Sequence, residues 1–484
     1  MPLSTHIVPY DRFSSSQESM TTPSQSTPSQ STPPQSTPPQ STSLQSTPPL
    51  IQQYQGNRAL RPLKALKRLL GKVGPGFITG AADDDPSGIA TYAQTGAIFG
   101  YGQLWLVWIT CPSMIVIQQM CGRIGTVTGK GLAGVILEHY SRRVLYVTVL
   151  LLLIANTINI GADLGAMASS AQMLLGLPYF LWLILITGSI IALEIFVPYR
   201  IYSRILKYLT LTLFSYILTA FVIRLDWGVV FHSMLIPHLN FSTDYLLNIV
   251  AVLGTTISPY LFFWQASEEV EEEIVNGQIL DMGVGKPTVT RQGVAEGNRD
   301  TVVGMFFSQI IMIFIIVITA TTLHASGATT IQTASQAAEA LRPLAGDLAY
   351  LLFAAGIIGT GLLAVPVLAG ASAYAVAETV GLKEGLGKKL GSAPGFYAVI
   401  AISTLVGMSL DWLGINPMKA LYYTAALNGL AAPPLMALVI MIANRRDVMG
   451  QFVNSRASNI LGWTITLIMA LAGVALIVNL ATGQ

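Results

Sequence analysis

The chain has 484 residues, of which 52% are hydrophobic and only 10% are charged, and its formal net charge is +2. Soluble globular proteins carry roughly 25% charged residues, so most of this protein's surface is not built to face water. The small net charge argues against a nucleic-acid partner. Two cysteines, Cys111 and Cys121, supply neither a disulfide framework nor a zinc-binding spacing.

The first 56 residues differ in composition from the rest of the chain. From Thr22 onward a five-residue unit rich in Ser, Thr, Pro and Gln repeats several times. Such a segment has little apolar surface to bury, and its prolines lack backbone donors. We therefore predict that residues 1–56 form a disordered cytoplasmic tail with polyproline II character, and that residues 57–484 form a transmembrane domain.

Eleven later segments are apolar enough to cross a bilayer, whose core of about 30 Å needs roughly 20 apolar residues per helix. The predicted fold class is an all-α integral membrane protein. Spans 1–5 cover about 73–224, spans 6–10 about 247–442, and span 11 about 459–481. The individual limits are 73–99, 102–121, 144–174, 178–198, 206–224, 247–267, 301–324, 347–379, 394–412, 418–442 and 459–481.

Lysine and arginine residues predict the orientation, because cytoplasmic loops carry an excess of both. If the N-terminus is cytoplasmic and eleven spans alternate, 23 of the 26 basic residues fall on the cytoplasmic side, and only Arg224, Arg342 and Lys419 do not. A missed span would remove this bias. We predict a multi-pass protein of a prokaryotic inner (plasma) membrane, with its N-terminus in the cytoplasm and its C-terminus outside.

Span 1 contains three consecutive carboxylates, Asp83, Asp84 and Asp85, followed by Pro86. Proline removes a helical hydrogen bond, so the helix should break here and leave backbone carbonyls free. A carboxylate beside freed carbonyls is an oxygen cage for a hard cation, which makes Asp85 the leading candidate ligand. For Asp83 and Asp84, an aqueous vestibule without a bound ion is the alternative reading.

Span 6 has a similar interruption, in which Thr255 and Ser258 precede Pro259. Two interrupted helices five spans apart are typical of an inverted repeat, in which the opening helix of each half is unwound around one midplane site. Because each half has an odd number of spans, the second half crosses the membrane in the opposite orientation to the first. The distribution of basic residues requires the same arrangement. The residues alone thus predict a secondary transporter with a 5+5 inverted repeat and an additional eleventh span.

The run GPGFITGAADDDPSGIATYAQTGAIFGYGQLW and the run GTTISPYLFFWQAS resemble the corresponding segments of the NRAMP (natural resistance-associated macrophage protein) family. The resemblance implies a leucine-transporter-like fold and transport of Mn²⁺, Fe²⁺ and related ions, usually with protons. Carried over by position, it implies that the metal site consists of Asp85, Gly88, Thr255, Ser258 and Gln265.

Departures from the family pattern bear on the choice of metal. The family's asparagine is Gly88 here, its methionine is Ser258 and its histidine is Gln265. Loss of the thioether removes a soft ligand that favours transition metals. A wider site of oxygen ligands and retained water suits Mg²⁺, and the pattern resembles the NRAMP-related magnesium transporters. We therefore expect transport of Mg²⁺, with Mn²⁺ as a competent substitute.

Span 3 bears on proton coupling. The two acids that the family uses there match Asn156 and Asn159, and amides cannot relay a proton by ionising. Asp163 lies on the same helical face as Asn159 and is either a substitute or a packing or vestibule residue. We expect uncoupled import by alternating access. Asn428, in span 10, is a further candidate for substrate contact if the repeat holds.

Three alternative functions remain at this stage. They are a proton-coupled Mn²⁺/Fe²⁺ NRAMP transporter, an amino-acid or organic-solute carrier on the same fold, and a metal sensor that moves nothing. An aspartate cluster would repel a substrate carboxylate, and no output domain is evident. No nucleophile–base set, phosphate loop or zinc-protease motif suggests an enzyme. The expected partners are the transported divalent ion and the lipid bilayer, with no cofactor and no nucleic acid.

Overall fold

The computed structural model describes residues 74–482 except 198–200, 202–212, 223–224, 328–330, 340–341, 343–345 and 347–348. The described part is almost entirely helical. The helices are α1 Pro75–Asp83, α2 Pro86–Phe99, α3 Val107–Thr128, α4 Leu132–His139, α5 Arg142–Leu175, α6 Tyr179–Phe196, α7 Phe214–Val222, α8 Trp227–Leu235, α9 Thr243–Thr256, α10 Pro259–Val275, α11 Arg291–Thr319, α12 Ala334–Glu339, α13 Ala349–Val380, α14 Pro394–Leu410, α15 Pro417–Asn444, α16 Arg446–Met449 and α17 Arg456–Thr482.

Nine helical segments among the described residues are long and apolar enough to cross a membrane. They correspond to the predicted spans 2–4 and 6–11. Span 1 is divided into α1 and α2, neither of which is long enough alone. Span 5 is described over residues 213–222, which include α7, and the predicted tail 1–56 lies wholly outside the described residues.

The predicted breaks occur at the two prolines. Pro86 is the first residue of α2, and Asp85 caps that helix by accepting the backbone N–H of Gly88. Pro259 is likewise the first residue of α10, directly after Ser258. Proline suits this position because the first N–H groups of a helix have no partner within it. Both breaks are buried, so the freed backbone groups face the protein interior.

One pair of helices approaches unusually closely. α1 packs against α11 through Gly80 and Gly304, and a β-carbon added at Gly80 would lie 2.2 Å from the carbonyl carbon of Gly304. Only glycine allows two backbones to come this near. At the start of α1, Asp300 of α11 accepts backbone N–H groups from Gly74 at 3.0 Å and Phe77 at 3.1 Å. The α1 half of span 1 is thus fixed to α11 at two levels.

Candidate metal site

Asp85 is at the centre of the broken region, and 1% of its surface is exposed. Its Oδ1 accepts hydrogen bonds from the Ser87 hydroxyl and the Gly88 backbone N–H, both at 2.6 Å. Its Oδ2 accepts one from Asn159 Nδ2 at 3.0 Å. Every one of these partners is neutral, so the carboxylate is oriented without an opposing charge. A carboxylate held in this way is well suited to attract a cation.

Asn159 of α5 connects Asp85 to two further candidates. Its Nδ2 also donates to Asp163 Oδ2 at 3.0 Å, and its Oδ1 accepts from Asn428 Nδ2 of α15 at 3.3 Å. Asp163 and Asn428 therefore join the site through one amide rather than by contact with Asp85 itself. The other oxygen of Asp163, Oδ1, is buried without a hydrogen-bond partner.

Thr255 and Gly88 meet at the point where the two breaks face each other. Thr255 Oγ1 lies 3.4 Å from the Ser87 hydroxyl. A β-carbon added at Gly88 would lie 3.3 Å from both Thr255 Oγ1 and the Asp83 carbonyl oxygen. The space at Gly88 is therefore just large enough for a glycine. A longer side chain would push directly into the region between Asp85 and Thr255.

Ser258 lies at the second break, but its hydroxyl turns toward its own chain. It donates to the carbonyl oxygens of Gly254 at 2.9 Å and Thr255 at 2.8 Å, at the end of α9. These bonds occupy the hydroxyl proton and leave oxygen lone pairs as acceptors. Ser258 thus contributes oxygen and no sulfur to this part of the protein.

Gln265 is separated from the other site residues predicted by resemblance. It follows Ser258 by seven residues on α10, which is about 10 Å of helix. Its Nε2 donates to Glu269 Oε1 at 2.8 Å, and its buried Oε1 has no hydrogen-bond partner. Gln265 lies beside Glu269 and the α3 residue Gly122. Asn156 is also apart, since it donates to Ser372 and to the Leu368 carbonyl oxygen.

Asp83 and Asp84 are fully buried rather than exposed to an open vestibule. Both accept a hydrogen bond from the hydroxyl of Ser308, at 2.9 Å to Asp83 Oδ2 and 3.2 Å to Asp84 Oδ1. Ser308 belongs to α11, the helix that packs against α1. These two carboxylates therefore form a pair of their own, next to Asp85 in sequence and bonded to a different helix.

A cavity and a hydrogen bond lie on different sides of the two breaks. A cavity of about 300 Å³ lies on the side of α2 and α9, and Gln94, Asp244 and Lys419 are among its lining residues. On the opposite side, the hydroxyl of Tyr260 in α10 donates to the Ala82 carbonyl oxygen at the end of α1, at 2.9 Å. The cavity is therefore lined by α2 and α9, while α10 is bonded directly to the end of α1.

The donors around Asp85 are oxygen atoms and amides. Among the described residues, no group of three or more His, Cys, Asp and Glu side chains is arranged to hold a metal. Mg²⁺ commonly binds through one or two carboxylates and keeps several waters, and this donor set fits such an ion.

Sequence reasoning missed three residues of this region. Ser87 lies within the Asp-Pro-Ser-Gly run, and its spacing from Asp85 is typical of a capping turn, so it was accessible from the sequence. Ser308 is a single polar residue in an apolar span, and Tyr260 follows a proline at a break. Neither carries a local signal, because each reaches a partner that is remote along the chain.

Comparison with known proteins places these observations in context. A profile of the family described as "Natural resistance-associated macrophage protein-like" matches residues 76–479. The divalent metal cation transporter MntH of Deinococcus radiodurans is 25% identical over 429 residues, which cover 85% of this chain and 91% of that protein. MntH of Yersinia pestis is 26% identical over 432 residues, which cover 87% and 97% of the two chains.

Two solved structures show the same fold. The manganese transporter of Eremococcus coleocola aligns with a TM-score of 0.65 and 18% identity, over 84% of this chain and 86% of that chain. Mhp1, a nucleobase-cation-symport-1 family transporter, aligns with a TM-score of 0.55 and 14% identity, over 84% and 91% of the two chains. The predicted all-α membrane fold of leucine-transporter type, with breaks in spans 1 and 6, is confirmed.

Proposed function

The chain belongs to the natural resistance-associated macrophage protein-like family, and from this premise we propose that it carries divalent metal cations across a membrane by alternating access. The relatives named above are divalent metal cation transporters, and one solved neighbour is a manganese transporter. The proposed substrates are Mg²⁺ and Mn²⁺. The ion binds between the two breaks, with Asp85 as its charged ligand and Thr255, Ser258 and freed carbonyls as neutral oxygen ligands.

The observation that carries this proposal is the setting of Asp85. The carboxylate is buried at a helix break and oriented by neutral donors, namely Ser87, Gly88 and Asn159. Ser258 replaces a soft sulfur ligand with a hydroxyl, and Gly88 adds no ligand. Hard oxygen donors and retained water favour Mg²⁺ and also accept Mn²⁺. Gln265 is too far along α10 to join a first set of ligands in this conformation, so we propose that it acts after the ion moves.

We propose that transport is not coupled to protons. Asn159 bonds Asp85, Asp163 and Asn428 at once, and its amide cannot exchange a proton with any of them. Asn156, the other amide on the same helix, is bonded to Ser372. A negative interior potential still drives import, because moving one charge through 100 mV is worth about 2.3 kcal/mol.

The distribution of basic residues supports an orientation in which the N-terminus is cytoplasmic. For that orientation we propose that the cavity beside α2 and α9 opens outward and that the bond between Tyr260 and Ala82 helps to close the route to the cytoplasm. The conformation then corresponds to a state ready to receive an ion from outside. Import requires α1 to separate from α10 and α11 while α2 and α9 close, as alternating access demands.

The test is uptake into proteoliposomes that contain a Mg²⁺-sensitive dye, with wild-type protein and Asp85→Ala. We expect the variant to lose Mg²⁺ and Mn²⁺ uptake completely. Asp411→Ala is the matched control, since Asp411 is bonded to Tyr179 on α6, away from the breaks, at 2.8 Å. A pH-sensitive dye in parallel vesicles should report no acidification with uptake.

Other outcomes would redirect the proposal. Uptake of Mn²⁺ without Mg²⁺ would refute the magnesium preference, and acidification in step with Mn²⁺ uptake would identify a proton-coupled manganese transporter. If no divalent ion enters and the wild type is well folded, metal transport itself is refuted.

A further inference from the structure

Asp83 and Asp84 form a second acidic centre that the proposed transport site does not use. They lie side by side at the C-terminal end of α1, and neither has any exposed surface. The Ser308 hydroxyl contacts one oxygen of each carboxylate. This centre differs from the Asp85 site in its partners, because Asp85 is bonded within α2 and to α5, whereas this pair is bonded to α11.

Neither carboxyl group of the pair forms an ion pair within the part of the chain that the structure describes. Four ion pairs occur among the described residues, and none includes Asp83 or Asp84. In addition, Asp83 Oδ1 and Asp84 Oδ2 are buried without any hydrogen-bond partner. Burying unpaired carboxylates within a membrane protein is costly, and the cost is offset either by protonation or by a bound cation. The pair thus presents two buried oxygen atoms that have no partner in the protein and are available to a cation.

A third buried group, on another helix, also lacks a hydrogen-bond partner. Tyr216 of α7 is only 3% exposed, and its hydroxyl is buried without a hydrogen-bond partner. The hydroxyl lies within electrostatic range of Asp84. A buried phenol normally finds a partner, so a ligand shared with Asp84 would satisfy it. α1 also ends at this point, and the C-terminal end of a helix favours a cation.

We propose that Asp83, Asp84, Ser308 and Tyr216 form a second divalent-cation site on the α1 side of Asp85. The choice of a divalent cation rests on the proposed function, whereas the site itself rests on its own contacts. Two carboxylates balance the charge of one Mg²⁺ or Mn²⁺, and hydroxyl oxygens and retained water complete its coordination. This matches the preference of Mg²⁺ for one or two carboxylates with several waters.

The location gives this site a role in transport. It lies on the side that is closed here, so an ion leaving Asp85 toward α1 meets these carboxylates before the cytoplasm. Because α1 holds two of the ligands while α11 and α7 hold the others, separation of α1 from its neighbours dismantles the site. The second site therefore receives the ion from Asp85 and releases it when α1 moves.

The experiment counts bound ions directly. Purified full-length protein in detergent is titrated with Mn²⁺, and free Mn²⁺ is measured by electron paramagnetic resonance. We expect two ions per chain in the wild type and one in Asp85→Ala. We also expect one in the Asp83→Asn/Asp84→Asn double variant and none when all three changes are combined. Asp411→Asn, which alters an aspartate outside both sites, should retain two.

Two conservative variants can decide the question if the double variant does not fold. Ser308→Ala and Tyr216→Phe keep both carboxylates and remove one oxygen ligand each. We expect each variant to lower the Mn²⁺ affinity of the second site by about tenfold, which is the smallest loss typical when a group supporting a metal site is removed. The affinity of the Asp85 site should not change. Monodisperse elution from a sizing column identifies the variants that are folded.

Two results would overturn the inference. One is a wild type that binds a single Mn²⁺, lost in Asp85→Ala, which would mean that the pair is neutralised by protons. The other is a folded double variant that still binds two ions. Failure of the second-site inference can be distinguished from failure of the proposed function, because intact uptake with one bound ion refutes only the second site. Two bound ions without uptake would refute only transport.

Discussion

The Tyr260 hydroxyl donates a hydrogen bond of 2.9 Å to the carbonyl oxygen of Ala82. The bond joins the helix that follows the break in span 6 to the helix that precedes the break in span 1. Ala82 is near the end of α1, where carbonyls lack partners within the helix. One side chain therefore satisfies a freed backbone group and, in the proposed mechanism, closes one side of the ion path.

The Tyr260→Phe variant should loosen the closure beside α1. A net hydrogen bond is worth about 1 kcal/mol, so the population in which α1 has separated should rise about fivefold. Hydrogen–deuterium exchange of the α1 amides measures this directly and should be faster in the variant. Tyr179→Phe, which removes a hydroxyl bonded to Asp411, is the control. Equal exchange in the wild type and Tyr260→Phe would show that this bond does not hold the closure.

The Ser258→Met variant should change selectivity between metals. A thioether at this position adds a soft ligand that favours Mn²⁺ over Mg²⁺, and a gain of 1.4 kcal/mol would correspond to about a tenfold change in the ratio of affinities. Competition between the two ions in the uptake assay measures the ratio. Ser258→Ala removes the hydroxyl without adding sulfur, so it should lower uptake of both ions and leave their ratio unchanged. A similar ratio in the Met and Ala variants would exclude Ser258 from selectivity.

The Asn159→Ala variant should weaken binding without removing a charged group. Asn159 holds Asp85 through a 3.0 Å hydrogen bond, and loss of such support around a metal ligand typically costs 10–100-fold in affinity. Titration with Mn²⁺ provides the measurement. Asn156→Ala is the control, because it makes the same substitution on the same helix but removes bonds to Ser372 and the Leu368 carbonyl. Its affinity for Mn²⁺ should stay within about twofold of the wild-type value. Equal affinities in the two variants would contradict a supporting role for Asn159.

Glu384, between α13 and α14, should make stability depend on pH. Burial, assisted by the charge of Glu378, raises the pKa of Glu384 to about 10, from a usual value of 4.5. The native state then keeps a proton that the unfolded state releases, so the stability contributed by this group falls as pH rises from about 4.5 to about 10. Glu384→Gln cannot ionise. It should therefore raise Tm at pH 8 and have little effect at pH 4.

Glu339 provides the control, because its ionisation should change stability in the opposite direction. The hydrogen bond from Tyr350 lowers the pKa of Glu339, so its ionised form supports the native state above the usual pKa. Glu339→Gln should lower Tm at pH 8 rather than raise it. Thermal unfolding in detergent at the two pH values tests both variants. A Glu384→Gln variant that is equally stabilised at pH 4 and pH 8 would show that packing, rather than ionisation, is responsible.

The breaks could be predicted because their causes are local. Pro86 and Pro259 each interrupt an apolar run, and each begins a helix in the structure. The start of α11 could not be predicted from hydropathy. This helix begins at Arg291, ten residues before the predicted limit of 301, because its first turns are polar and lie beyond the apolar stretch.

The residues of the site could be predicted from the sequence more readily than the contacts among them. Asp85 was identified because it lies at a break, and Thr255 because the family resemblance implies it. The bond from Asn428 to Asn159 depends on packing between α15 and α5. Ser308 reaches Asp83 across 225 positions of the chain. By contrast, the bond between Gln265 and Glu269 follows the four-residue spacing of a helix, so its separate environment was foreseeable.

The three consecutive aspartates of span 1 also bear on biosynthesis. Each aspartate near the middle of a helix costs about 2.5–3.5 kcal/mol during insertion through the translocon, whereas a leucine or isoleucine recovers only about 0.3–0.6. Three aspartates thus oppose insertion by roughly 7–10 kcal/mol, and α1 alone, with nine residues, reaches only about 14 Å. The first span should therefore enter the bilayer stably only after α11, with Ser308, has emerged from the ribosome. Membrane integration of this chain is cooperative rather than sequential.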